Sequence, residues 1–91
     1  MERWELLHAS AGFDVRLEHA ARELGLRVQR FTLKSKPAKA HWHFRIEGAK
    51  GTLEATWLIE LEQAWLAVHA NRRAEWVDGA AMALVQRLNP T

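Results

Sequence analysis

The residues whose type and spacing suit chemistry are His41, His43 and His69, with Thr56 and Trp65 beside them. His41 and His43 stand two apart in a stretch of strict alternation, which projects both imidazoles from one face of a strand. Neutral imidazole is the commonest metal ligand. Along a strand the two lie about 7 Å apart, and His43 and His69 lie about 10 Å apart across two strand spacings. With no evident fourth ligand, the expectation is three exposed histidines that hold no metal and a chain that carries no cofactor. His43 and His69 with Glu54 can in principle act as acid and base. The remaining inventory argues against an enzyme: two serines, two aspartates, no tyrosine, no cysteine, and no glycine-rich phosphate loop or nucleophile elbow.

A second chemistry is anion binding. The formal net charge of +2 hides an asymmetry, because residues 1–50 carry ten Lys and Arg against six acids and residues 51–91 three against five. No acid occurs between Leu24 and Ile46, where Arg27, Arg30, Lys34, Lys36, Lys39 and Arg45 fall. Such a patch attracts anions more strongly than the net charge suggests. Arg30, Lys34, Lys36, Lys39 and Arg45, joined by Arg72 and Arg73 at the start of a final helix, are the expected anion-binding set. Basic side chains mixed with aromatics can offer charge to phosphates and rings to bases.

Positioning these residues requires a sheet with one buried face. Trp42, Phe44 and Ile46 alternate with His41, His43, Arg45 and Glu47, and Leu53, Ala55, Trp57, Ile59 and Leu61 alternate with Thr52, Glu54, Thr56, Leu58, Glu60 and Glu62. Gly48-Ala49-Lys50-Gly51 reads as a hairpin turn and Glu62-Gln63 as a second. Closing the first at Glu47 and Thr52 sets Arg45 opposite Glu54, His43 opposite Thr56 and Trp42 opposite Trp57. Closing the second at Leu61 and Ala64 sets Thr56 opposite His69 and Trp57 opposite Val68. The segment from Leu26 to Lys34 is β-rich with a phase change, Val28 against Phe31 and Leu33, which a bulge near Gln29 and Arg30 reconciles. Lys34 to Ala40 reads as a basic loop, with Pro37 excluding a central strand.

Leu17, Ala20, Ala21 and Leu24 follow helical spacing, and Gly25 suits its stop. Upstream, Trp4, Leu6 and Leu7 can begin the same helix, with Leu6, Phe13 and Ala20 at heptad spacing. Gly12 argues for a break, Ser10 or Asp14 can cap a second segment, and the alternation of Phe13, Val15 and Leu17 also admits a short strand. A final helix is expected from about Arg72 to Leu88, capped by Asn71 and ended by Asn89-Pro90, with Val77, Ala81, Leu84 and Leu88 as its core stripe. The expected fold is α+β: one domain over residues 1–91, a two-layer sandwich in which N- and C-terminal helices cover one face of a four-stranded antiparallel meander (α-β-β-β-β-α).

Ninety-one residues suit one domain, and the absence of cysteine removes disulfides and thiol chemistry. No apolar run reaches the length of a membrane span and Met1-Glu2-Arg3-Trp4-Glu5 does not resemble a secretory signal, so a cytoplasmic protein without membrane contact is expected. Two Asn, three Gln and no Cys, with Arg in excess of Lys and abundant Ala and Leu, are a composition that suits a heat-stable or GC-rich source.

After its hairpin, Gln63-Ala64-Trp65-Leu66-Ala67 resembles the corresponding stretch of the frataxin-like αβ sandwich, which also runs helix, strands, helix. The acidic first helix of that family is missing, since Arg16, His19 and Arg22 are interspersed with Glu18 and Glu23. The helix-sheet-helix order is also similar to a double-stranded-RNA-binding domain, without that family's lysine-rich start to the last helix. No residue role is carried over from either. The functional expectation is a non-catalytic binding module for an anionic partner, nucleic acid among the options. The alternatives are a homodimer or protein-interaction module using the open sheet face through Leu58, Trp65 and Ala67, and a metal-binding or histidine-based enzyme.

Overall fold

A computed structural model describes residues 1–89. Its elements are β1 (Glu2–Leu6), α1 (Phe13–Glu23), β2 (Arg27–Leu33), β3 (Lys36–Arg45), β4 (Leu53–Leu58), β5 (Gln63–Val68), a 3-10 turn (Ala70–Arg72) and α2 (Glu75–Leu88). The strands form one antiparallel sheet in the order β1-β5-β4-β3-β2. No helix among the described residues is long and apolar enough to cross a membrane.

The α+β class with both helices on one face stands, but the sheet has five strands rather than four. The additional one is β1, where Trp4 and Leu6 alternate toward the core instead of opening a helix, and it pairs with β5 across the sheet from β2. Five residues are too few for a period of two to be distinguished from the first turn of a helix. Asn89 fastens this strand: its Oδ1 accepts from the Leu7 N–H at 2.7 Å and its Nδ2 donates to the Glu5 carbonyl at 3.1 Å. Pro90, the expected helix stop, lies outside the described residues.

Gly12 takes φ 88° and turns the chain into α1, whose first residue Phe13 is buried against Trp57. At the other end Gly25, at φ 79°, donates to the Arg22 carbonyl while Leu26 donates to that of Ala21. That pair of bonds is the Schellman stop, and the left-handed residue it needs is the glycine. α2 begins later than expected, at Glu75, with the extended Ala74 before it and no side-chain cap from Asn71. Its stripe of Val77, Ala81, Leu84 and Leu88 is the buried one.

The core lies between helices and sheet. Trp42, Phe44, Leu53 and Leu66 are fully buried and Trp57 is 5% exposed. The two buried tryptophans each find an acceptor for the indole N–H, as burial demands: Trp42 on Glu18 at 2.9 Å and Trp57 on the Ala9 carbonyl at 2.8 Å.

Both central hairpins close differently from the expected register. His43 faces Glu54, His41 faces Thr56, and Trp42 faces Ala55. The cause is the connection of residues 46–52. Thr52 donates its N–H to the Arg72 carbonyl at 3.0 Å rather than pairing with Glu47, and a Cβ on Gly51 would lie 2.6 Å from that of Ala74. The loop therefore combines a turn closed by the Ala49 N–H on the Ile46 carbonyl with a close approach to the segment before α2, and that approach holds Thr52 out of the hairpin ladder. The second hairpin closes at Leu58 and Gln63, with Glu62 left-handed at φ 51°, so Thr56 faces Trp65 and Trp57 faces Ala64.

Candidate functional site on the open sheet face

The face away from the helices carries two rows of side chains. One runs Glu5, Trp65, Thr56, His41, Phe31 from β1 to β2; the other runs Arg3, Ala67, Glu54, His43, Gln29. Of the expected patch, His41, Thr56 and Trp65 share the first row and His43 is in the second. His69 lies just past the end of β5 and reaches the same place from the side.

The shift in register puts Glu54 at the centre. Its Oε1 is 3.0 Å from Nε2 of His41 and 3.9 Å from Nε2 of His43, and its Oε2 is 3.3 Å from Nε2 of His69. Nδ1 of His41 is 3.0 Å from Oγ1 of Thr56, a residue 7% exposed. Three imidazoles converge on one half-buried carboxylate. The sequence alone set Glu54 against Arg45; instead Arg45 faces Arg27, one step farther along the sheet. Burial lowers the pKa of His43 below that of a free imidazole; Glu54 pulls it up, and His41, Arg45 and Arg72 push it down. His43 is accordingly held toward its neutral form.

The expected anion-binding set divides. Arg30 points to the helix side, donating to Asp14 at 2.9 Å and lying over the Trp42 ring. That contact, with the backbone N–H of Val15, holds the Asp14 carboxyl below its ordinary pKa against the opposing effect of burial. Arg73 precedes α2 and is bound by Asp78 and Glu2, which keep it charged. Neither is free for a ligand. Among the described residues, Lys34, Lys36, Lys39, Arg45 and Arg72 have no carboxylate within ion-pairing distance. Arg72 lies in the 3-10 turn and not in the helix.

The stretch expected as a basic loop is a hairpin: Lys34 and Ser35 form the turn, and β3 already starts at Lys36. Pro37 is accommodated where the β2–β3 register slips, between the pairs Leu33–Lys36 and Thr32–Ala40, so it interrupts no ladder bond.

No bulge occurs at Gln29 and Arg30, where pairing with His43 and Trp42 is continuous. The phase change in β2 has another meaning: Val28 faces the core, while Phe31 (37% exposed) and Leu33 (57%) stand on the open face. Phe31 contacts His43 edge-on at a centroid distance of 4.8 Å. Two clefts open on the β2–β3 half, and Phe31 lines the smaller. One of about 310 Å³ is lined by Phe31, Leu33, Lys39 and His41; the other, of about 580 Å³, includes Arg27, Gln29, His43 and Arg45 in its walls. Trp65, the aromatic expected to be available, has the Arg3 guanidinium 3.8 Å above its ring, and Ala67 is buried. Phe31 was missed because an apolar residue in a strand reads as core; its odd position, opposite His41, was the available signal.

No protein-family model, curated protein or solved structure matches this chain.

Proposed function

We propose that the chain is a non-catalytic binding module that takes single-stranded nucleic acid on the β2–β3 half of its open face. The observation that carries this reading is the exposed Phe31 ring on the same β2–β3 surface as Lys36, Lys39 and Arg45, cations with no carboxylate in ion-pairing distance among the described residues. Bases stack on aromatic faces irrespective of sequence, and cations along a groove track the backbone. Lys34 at the hairpin tip extends the track. The lack of cysteine fits a reducing, cytoplasmic setting.

Fluorescence anisotropy of a short labelled single-stranded oligonucleotide, with chelator present, tests it. Binding should weaken steeply between low and physiological salt as counterions are released, by a slope that falls when cations are removed. Charge reversal at Lys36, Lys39 and Arg45 should abolish binding and leave the circular dichroism unchanged. Absence of binding to the wild type at low salt would end this reading.

One observation favours a second: β2 is an unpaired edge bearing exposed Phe31 and Leu33, which suits a homodimer formed by a second copy pairing along it. Sedimentation across a concentration series separates the two, because that dimer persists at high salt.

A further inference from the structure

We propose that His41, His43 and Glu54 form a binding site for a divalent first-row transition ion, with Thr56 and His69 holding the ligands in place. The expectation of metal-free histidines rested on their separation along and across strands, and the observed register removes that objection. Residues two apart on one strand and the residue directly opposite on the next share a face, and their ligand atoms here all lie within 4.8 Å of one another.

Bonds of about 2.1 Å to such an ion place neighbouring ligand atoms about 3.0–3.4 Å apart. The 3.0 Å and 3.9 Å separations of Glu54 Oε1 from the two Nε2 atoms stand at and just beyond that range. An ion would enter by replacing the proton between His41 Nε2 and the carboxylate, with a small inward movement of His43. Metal-bound imidazoles usually donate their other N–H to an oxygen that fixes the ring, and ligating carboxylates are themselves hydrogen-bonded. Both supports are present: Thr56 Oγ1 lies 3.0 Å from His41 Nδ1, and His69 lies 3.3 Å from the second oxygen of Glu54. Two imidazoles and one carboxylate leave at least one coordination position for water or an anion. The site adjoins the proposed nucleic-acid surface through Phe31, and the chelator in the oligonucleotide assay keeps the two tests separate.

The test is calorimetric titration of the metal-stripped full chain with zinc. One equivalent should bind, and His41→Ala or His43→Ala should weaken it more than a hundredfold, while His8→Ala and His19→Ala should not. Thr56→Val should cost about tenfold, the lower end for loss of an outer partner. Should the alanine variants fail to fold, nitrogen NMR of the wild-type imidazoles replaces them: zinc should move Nε2 of His41 and His43 and leave His8 and His19 in place. Zinc binding that survives His43→Ala in folded protein, or equal shifts at all five histidines, would overturn the site.

Discussion

The two faces of the sheet are built from the same alternation and end in opposite conditions. On the covered face the large buried side chains are apolar and the buried indoles of Trp42 and Trp57 have acceptors, so that face is finished by the molecule itself. On the open face three imidazoles compete for one carboxylate, lysines and an arginine have no acidic partner among the described residues, and Phe31 and Leu33 stay in water. None of these open-face features is demanded by folding, which needs only one buried face. Such residues are the ones whose explanation is to be sought in binding.

The contrast can be broken most severely from the covered face. Trp57→Ala removes a buried ring and orphans the Ala9 carbonyl, and should cost about 3–5 kcal/mol in urea unfolding. A loss below about 1 kcal/mol would show that the helices do not complete that face. Next in size is Asn89→Ala, which releases the end of β1 from the end of α2; about 1 kcal/mol is expected, with faster amide exchange confined to residues 2–7 and led by Leu7.

The smallest effect belongs to the helix-side pair of Arg30 and Asp14. The Asp14 carboxyl is held below its ordinary 3.8, so its contribution is complete above that pH and disappears as pH falls through the lowered folded value. Asp14→Asn should therefore lower stability at neutral pH by less than about 1 kcal/mol and narrow its difference from wild type toward pH 2. A difference that widens on acidification would contradict the assignment of Arg30 to the covered face.

How much of this was legible in the sequence differs between the same two faces. The identity of the covered face followed from Trp42, Phe44 and Trp57, because a period of two leaves no other way to bury them. The α2 stripe followed for the same reason at helical spacing. The register did not, since Thr52 is held by the Arg72 carbonyl, a contact distant in sequence that no local turn signal encodes. With the register went the site: Glu54 was placed on the correct face but against Arg45, so the convergence of His41, His43 and His69 on it was invisible. Phe31 and Leu33 were drawn into the core by their apolar character, when their phase was already that of His41 and His43.

The proposal that the open β2–β3 surface binds nucleic acid can be tested residue by residue. The most direct measurement is a proton–nitrogen NMR titration of the full chain with a short single-stranded oligonucleotide at low salt. Shifts should concentrate at residues 31–45 on the open face, with the indole resonances of Trp57 and Trp76 unmoved. Shifts concentrated on α1 and α2, or none at saturating oligonucleotide, would contradict the proposal.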